Sequence, residues 1–203
     1  DPGYVANAAF NKIVLGADNI LSTDASGTVE SVETITMEDL KSFYEKNISP
    51  SVANFLIVGD IDQARVDKAL KVLGERWNAR DVVMPELTFP TVPEKSSIHF
   101  VDIPGAKQSV INIGNISITR NHPDYFKANV ANFLMGGGAS AKLFMVLREE
   151  KGFTYGAYSN FNGQKHYGTF RAYASVRSDA TLESVELFRD IMAEYRAGVT
   201  RDG

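Results

Sequence analysis

The sequence predicts an α+β fold in which antiparallel sheets are covered on one side by helices. Apolar residues recur at helical spacing on both sides of a glycine triplet, and from Phe153 onward their period changes to two. A glycine-containing loop at Asn162–Gly168 then joins two alternating stretches, which is typical of an antiparallel hairpin. Amphipathic helices bury their apolar stripe against such a sheet, so this pattern favours a layered α+β domain.

The composition narrows the class of protein. The 203 residues suffice for one large domain or two small ones, and 44% hydrophobic with 23% charged residues is ordinary for a globular protein. The net charge of −4 argues against nucleic acid as the main partner. No apolar run reaches the ~18 residues of a membrane span. The absence of cysteine excludes disulfides, and it fits a periplasm or cell envelope slightly better than a cytoplasm, which leaves the compartment open.

Three helices and one strand are predicted in the first 80 residues. The first helix follows Asp1-Pro2, because proline suits the first helical position, and it ends before Gly16. A second helix begins at Thr36, which can form a variant of the capping box with Asp39. The apolar residues of 52–58 predict a strand, and a third helix follows it.

Two further strands are predicted after a linker. Three prolines in the segment 80–96 indicate an extended connection over the surface. The segments 98–102 and 110–118 alternate as strands do, and a turn that contains Gln108 joins them. Gln108 and the backbone beside it either bind an extended peptide by strand addition or form only a tight turn, and the sequence leaves both open.

The stretch 133–161 contains the residues best suited to function. It begins with the end of a helix whose apolar residues are expected to face the core, namely Phe126, Val130, Phe133 and Leu134. Gly136, Gly137 and Gly138 end this helix, because residues without Cβ lose too much backbone entropy to stay helical. A second helix follows and is expected to end at Gly152 in the left-handed conformation.

Arg148 and Tyr155 are the two candidates for chemistry in this stretch. Arg148 falls in the last turn of the second helix, and Tyr155 falls early in a strand, where it shares a face with Ala157. A guanidinium and a phenol that meet at such a corner can both donate hydrogen bonds to a carbonyl or an oxyanion. The spacing alone favours the structural alternative, an arginine at a helix C-terminus and a half-buried tyrosine.

The motif LREEKGFTYGAYS at Leu147–Ser159 resembles the second, zinc-free half of zinc peptidases of the insulinase (pitrilysin) family, which includes the mitochondrial processing peptidases. The segments Gly27–Asp62 and Asp102–Ser109 resemble the same family, so the similarity covers nearly the whole chain. The glycine triplet resembles a short form of the glycine-rich substrate loop in the non-catalytic processing-peptidase subunit. On this resemblance, residues 1–35 are the tail of one subdomain, and residues 36–203 form the inactive type of subdomain with the half-clamshell fold.

The resemblance also implies a function. The chain is expected to be the substrate-binding, zinc-free half of a metalloendopeptidase that cleaves peptides in a closed chamber. Arg148 and Tyr155 would hold the scissile peptide and stabilise the tetrahedral intermediate, and Gly136, Gly137, Gly138 and Gln108 would contact the substrate. The expected partners are extended peptides and a catalytic half, which is either fused to this chain or a separate subunit.

The family's zinc signature, His-x-x-Glu-His, is missing from this chain. Its three histidines, His99, His122 and His166, have no second ligand at a suitable spacing. We therefore expect no metal site and no cofactor here, zinc in the catalytic half, and no peptidase activity from this chain alone. The alternative function is that of a structural subunit of the same fold without a peptidase role, like the core subunits of a respiratory complex.

Overall fold

The computed structural model describes residues 1–92 and 95–198. Contacts divide the chain into two compact units, of which one comprises Asp1–Asp24 with the chain from Thr88 onward and the other comprises Ala25–Leu87. The larger unit combines helices with a three-stranded antiparallel sheet, so the predicted α+β class is confirmed. The subdomain boundary at residues 35 and 36 stays a prediction. The predicted linker has neither helix nor strand in its described residues, and Pro93 and Glu94 lie outside them.

The sheet has the strand order β1-β3-β2, with β3 in the centre. Strand β1 spans Gln108–Ser117, β2 spans Thr154–Gly163 and β3 spans Gly168–Arg177. Strands β2 and β3 form the predicted hairpin, and β1 pairs with β3 from Gln108 opposite Arg177 to Ser117 opposite Gly168. The side chains of β3 therefore determine what lies at the middle of each face of the sheet.

Three helical elements cover one face of the sheet. These are α5 at Tyr125–Gly136, the short α6 at Lys142–Phe144, which continues as a π-helical segment at Met145–Glu150, and α7 at Thr181–Ala197. Their apolar residues pack on the inward side chains of the strands to form the main core, which consists of Ile111, Met135, Leu143, Leu147, Ala157, Ala172, Ala174, Val176, Phe188 and Ile191. The alanines of β2 and β3 let these helices approach the sheet closely.

Helix α1, at Pro2–Leu15, covers part of the opposite face. It begins as predicted, with the Asp1 side chain accepting a hydrogen bond from the amide of Tyr4 at 2.8 Å. Its Phe10 ring lies against Gly114 of β1, where a Cβ would meet ring carbon Cζ at 2.7 Å. The side-chain amide of Asn112 donates to the carbonyl of Ala6 at 3.3 Å. These contacts lie at Asn112 and Gly114 of β1, and α1 does not cover the end of this face near Gln108.

The unit Ala25–Leu87 contains α2 at Val29–Thr34, α3 at Met37–Asn47 and α4 at Gln63–Arg76. The predicted capping box of α3 is confirmed, because the amide of Asp39 donates to Thr36 Oγ1 and the amide of Thr36 donates to the Asp39 carboxylate. The predicted strand at 52–58 is wrong. Leu56 and Val58 are 90% and 99% exposed, and no strand occurs anywhere in this unit. An apolar stretch becomes a strand only beside a paired neighbour.

The predicted strand at 98–102 is also wrong. Residues 98–102 form neither helix nor strand, and Ile98 and Phe100 are 96% and 83% exposed. The neighbouring prediction at 110–118 is correct to within two residues, because β1 finds its partner in β3. Local alternation was the same in both segments, so the presence of a partner strand decided between them.

Helix α5 is present where it was predicted, but its buried face is a different one. The stripe expected in the core is exposed by 56% to 74% and consists of Phe126, Val130, Phe133 and Leu134. The face that meets the sheet carries Asn132, whose amide donates to the carbonyl of Ser159 at 2.7 Å and whose oxygen accepts from Ser159 Oγ at 2.6 Å. Gly136, at the end of the same face, permits the close approach that these two hydrogen bonds require.

The Asn132–Ser159 pair should contribute measurably to stability. Asn132→Ala is expected to lower the free energy of unfolding by about 1–3 kcal/mol, because it leaves buried polar groups of Ser159 without partners. Chemical denaturation of the chain measures this loss. The double variant Asn132→Ala with Ser159→Ala should recover part of it. Asn129→Ala is the control, because Asn129 makes only a half-buried hydrogen bond to Tyr125 within α5. An equal loss in both single variants would contradict the assigned role of the pair.

Candidate functional site

The helical segment that carries Arg148 ends in a defined turn. The amide of Lys151 donates to the carbonyl of Val146 at 3.0 Å, which is the wider spacing of a π-helix, and the amide of Phe153 donates to the carbonyl of Leu147 at 3.0 Å. Gly152 has φ of +63°, so the predicted left-handed glycine is confirmed. The Lys151 ammonium also pairs with Glu183 of α7 at 2.7 Å, and this contact attaches the turn to the neighbouring helix.

A β-bulge follows at once and turns Tyr155 toward solvent. Thr154 lies opposite Val176 whereas Ala157 lies opposite Ala174, so β2 has one extra residue between these two pairs. The Thr154 hydroxyl holds the bulge, because it donates to the carbonyl of Ser175 at 2.6 Å and accepts from the amide of Gly156 at 3.1 Å. Tyr155 is consequently 83% exposed. The prediction that it shares a face with buried Ala157 is wrong, since the bulge breaks the alternation.

Arg148 and Tyr155 meet at this corner. The guanidinium carbon of Arg148 lies 5.4 Å from the centre of the Tyr155 ring, within the range of a cation–π contact. Among the described residues, no carboxylate forms an ion pair with Arg148. The planar fork of the guanidinium and the phenol hydroxyl are both hydrogen-bond donors, so the pair can hold carbonyl oxygens or an oxyanion of a bound chain.

Beside Tyr155 the open face of the sheet forms a shallow cavity of about 350 Å³. Eight residues from all three strands line it, namely Gln108, Thr154, Tyr155, Gly156, Tyr158, Tyr173, Ala174 and Ser175. Gln108 and Tyr155 were predicted as site residues from separate parts of the chain, and the sheet register brings them to this one cavity. The role of Gln108 in binding peptide stays a prediction.

The three glycines do not line this cavity. Gly136 is buried, and a Cβ there would meet the amide nitrogen of Ser159 at 2.5 Å and Leu143 Cδ1 at 2.8 Å. A residue without a side chain is therefore needed at this position for α5 to pack on β2. A Cβ at Gly137 would meet the Cα of Phe133 at 2.6 Å, whereas one at Gly138 would have its nearest contact at 3.8 Å. Packing therefore explains Gly136, and contact of the triplet with substrate stays a prediction.

Tyr158 and Tyr173 were missed as site residues. They lie opposite each other on β2 and β3, with ring centres 6.1 Å apart. Arg171 stacks on the other side of this pair, 4.9 Å from the centre of the Tyr173 ring, and it donates to the side chains of Asn112 and Asn7 at 2.8 and 2.5 Å. Burial lowers the pKa of the Arg171 guanidinium. Only the register of the paired strands shows which neighbours Tyr173 meets.

The histidines have structural contacts in the described part of the chain. His99 shares a hydrogen bond with Ser97 at 2.9 Å, the Nδ1 of His122 accepts from the amide of Asp124 at 3.1 Å, and the His166 ring stacks on Phe89. Residues 1–92 and 95–198 contain no group of three side chains that could hold a metal ion. Over the same residues, no helix combines the length and apolar character needed to cross a membrane.

Comparison with known proteins identifies the family to which this α+β domain belongs. Residues 34–202 match the family described as "Peptidase M16 inactive domain", so the chain belongs to the M16 peptidases as their inactive domain. The predicted family and the assignment to its zinc-free half are therefore confirmed.

Three similar proteins illustrate the range of the family. An uncharacterized zinc protease of Streptomyces coelicolor is 26% identical over 194 residues, which cover 94% of this chain and 42% of that protein. The non-peptidase homolog YmxG of Helicobacter pylori is 27% identical over 201 residues, which cover 96% and 44%. The crystal structure of an M16 inactive domain from Pseudomonas fluorescens superposes with a TM-score of 0.88 at 25% identity, over 100% of this chain and 48% of that one. The chain thus spans less than half the length of these relatives.

The different surroundings of the glycines yield a matched pair of variants. Gly136→Ala is expected to lower the free energy of unfolding by about 1–3 kcal/mol, because the added methyl group overpacks the contact with Ser159 and Leu143. Gly138→Ala has room for the methyl group and should leave stability within about 0.5 kcal/mol. Thermal or chemical unfolding of the two variants checks this, and equal losses would show that the close contact at Gly136 does not matter.

The zinc content of the chain is a separate expectation. Elemental analysis after dialysis should find far less than a stoichiometric amount of zinc, because the described residues offer no ligand cluster. A zinc peptidase taken through the same dialysis serves as the positive control. Stoichiometric zinc that disappears when His99, His122 or His166 is replaced would contradict the assignment.

Proposed function

We propose that this chain is the substrate-binding, non-catalytic half of a zinc-dependent metalloendopeptidase that cleaves extended peptides in a closed chamber. The observation that carries the proposal is the exposed corner at which Arg148 and Tyr155 lie in contact, next to a cavity that also includes Gln108. The family match to an inactive peptidase domain and the zinc protease among the relatives support it.

The described residues offer no ligand cluster that fits zinc, and we assign to this chain the binding and orientation of the substrate. When bound in the catalytic half, the metal would supply the activated water for attack on the peptide. The Tyr155 hydroxyl would donate to the oxygen that becomes negatively charged in the tetrahedral intermediate. The Arg148 guanidinium would donate to a neighbouring carbonyl of the substrate and hold the peptide in register.

The local structure suits this role because it fixes the backbone next to both donors. The turn at Gly152 and the bulge held by Thr154 set the backbone on either side of the corner. Both side chains are nevertheless in contact with water here, and hydrogen bonds from exposed donors contribute little. Their contribution would become large once a catalytic half closes over the substrate and excludes water. A chain with only this half of the site would therefore be inactive alone.

A structural role without peptidase activity is the second candidate function. The name of the Helicobacter pylori relative, a non-peptidase homolog, favours it. In that case Arg148 and Tyr155 would contribute to stability only, as a helix-end arginine stacked on a tyrosine ring. The two candidates differ in what happens to turnover when either side chain loses its donor.

Two conservative variants of the parent protein with its catalytic half test the proposal. Tyr155→Phe removes only the hydroxyl, and Arg148→Lys keeps the charge but loses the planar fork. Each is expected to lower kcat by about 10²–10³-fold, the usual cost of removing one oxyanion donor. The melting temperature should stay close to that of the wild type, since Tyr155 is exposed.

Tyr167→Phe and Arg177→Lys are matched controls, because Tyr167 packs near α1 and Arg177 forms an exposed ion pair with Asp179. Both should keep wild-type turnover. Wild-type turnover in Tyr155→Phe and Arg148→Lys as well would reject the proposed roles. A parent protein that binds no peptide and cleaves none would favour the structural alternative.

A further inference from the structure

The outer face of α5 carries an apolar surface that neither the core nor the proposed site uses. Its large side chains are exposed by 56% to 74% and lie on the side of the helix opposite the sheet, and we call them the outer stripe: Phe126, Val130, Phe133 and Leu134. Their spacing of i, i+4, i+7 and i+8 makes one continuous band, which extends over about 12 Å of the helix. An apolar band of this kind usually packs against another element.

An apolar cavity of about 260 Å³ opens beside the outer stripe, between α5 and α7. The rings of Phe161 and Phe170, which lie opposite each other on β2 and β3 with centres 5.0 Å apart, line its sheet side. The complete lining contains no charged residue and consists of Ala128, Ala131, Asn132, Met135, Phe161, Phe170 and Tyr195. Because an apolar cavity of about 150 Å³ is enough to bind benzene, this space can hold one aromatic or branched side chain.

The polar atoms of the lining are already satisfied within the chain. The Asn132 side chain exchanges two hydrogen bonds with Ser159, at 2.7 and 2.6 Å. The hydroxyl of Tyr195 donates to the carbonyl of Ala131. Little therefore remains in the cavity to hold water or a polar ligand, and its lining favours a hydrocarbon group.

The cavity and the outer stripe form one surface. Ala131 lines the cavity and is exposed at its mouth, and Leu134 of the stripe follows three residues later, so their side chains are neighbours on the helix. A small ligand in the cavity alone would leave the stripe uncovered. A helix laid along α5 would cover the stripe and insert one large side chain into the cavity, which is the geometry of helix-in-groove recognition.

The charges at one end of this surface restrict the partner further. The guanidinium carbon of Arg120 lies 5.4 Å from the centre of the Phe126 ring, and no carboxylate among the described residues forms an ion pair with it. An aspartate or glutamate of the partner would complement this charge. A second copy of α5 is poorly suited, because the carboxylate that precedes the helix, Asp124, already pairs with Lys127 at 2.7 Å.

We propose that this surface is the docking site of an amphipathic helix from the remainder of the parent polypeptide, with an apolar face toward α5 and a carboxylate near Arg120. The relatives have enough additional sequence for such a helix, since this chain covers 42% of the Streptomyces coelicolor protein and 44% of the Helicobacter pylori protein. A helix in the same polypeptide has a high effective concentration at the surface. Docking here would be independent of the proposed peptidase role.

Cysteine labelling tests the docking directly, because the chain contains no cysteine of its own. Val130→Cys places one thiol in the outer stripe, and it leaves the core intact because Val130 is 74% exposed. Its reaction with a maleimide is followed in this chain and in the parent protein by mass spectrometry of the labelled peptide. The thiol should react at least about tenfold more slowly in the parent protein, since a covered residue becomes accessible only when the helix detaches. Glu186→Cys, at an exposed position of α7 outside this surface, is the control and should react equally in both. Equal rates for Val130→Cys would overturn the proposal.

A substitution at the mouth of the cavity shows whether the cavity takes part. Ala131→Arg, added to Val130→Cys, blocks the mouth with a charged side chain, and it should raise the labelling rate in the parent protein to that in this chain. Ala193→Arg adds the same side chain to an exposed position of α7 outside the lining, and it should leave the protection intact. Protection that survives Ala131→Arg, or that is lost in both variants, would overturn the assigned surface.

Dilution separates the proposed helix from a second copy of the chain. A helix in the same polypeptide should protect the Val130→Cys thiol equally at low and at high protein concentration. Protection that disappears on dilution, or that arises in this chain alone at high concentration, would show a contact between copies and overturn the proposal. The labelling requires no turnover, so a parent protein that cleaves no peptide would reject the proposed function and leave the docking result unchanged.

Discussion

The pairing of β3 on both of its edges is the constraint on which the rest of the structure depends. Because β1 and β2 both hydrogen-bond to β3, a slip of β3 by one residue would break both pairings and move the apolar side chains of β3 away from the core. The helices α5 to α7 pack against its inward side chains, which are Ala172, Ala174 and Val176. Its outward residues, Arg171, Tyr173 and Ser175, form the centre of the open face. The core and the candidate site therefore lie on opposite faces of the same strand. The carbonyl of Ser175 in this strand also accepts the hydrogen bond from Thr154 that holds the bulge before Ala157.

Elements defined by nearby residues could be predicted from the sequence, and elements that need a distant partner could not. The helix start at Asp1-Pro2, the capping box of Thr36 and Asp39 and the left-handed Gly152 all depend on contacts within a few residues, and all are present. The segments 52–58 and 98–102 show the same alternation as true strands, yet no described strand pairs with them. For α5, apolar spacing indicated the wrong face because burial was decided by a polar pair with Ser159 and by the close approach at Gly136.

The candidate site shows the same division between local and distant information. Arg148 and Tyr155 could be singled out from the sequence, and their contact across the helix-to-strand corner follows from how close they are along the chain. The exposure of Tyr155 could not be predicted, because a bulge of one residue reverses the face of everything before it. Tyr158 and Tyr173 escaped notice for another reason. A tyrosine on a strand is ordinary in itself. Only the cross-strand register shows that these two line the same cavity as Gln108 and Tyr155.

The surface of the chain is consistent with a protein that completes its site with another polypeptide. Hydrogen-bond donors at an enzyme centre act strongly when water is excluded, whereas Arg148 and Tyr155 lie at an open corner. The turn at Gly152 and the Thr154 hydroxyl have satisfied hydrogen bonds. Apolar residues are also left exposed on α5, where the helix turns Phe126 and Val130 away from the core. Large exposed apolar residues in this arrangement usually mark a surface that a partner covers. If a second polypeptide covered this corner and excluded water, the hydrogen bonds that Arg148 and Tyr155 donate would become stronger, so the proposed half-site would depend on its counterpart for activity.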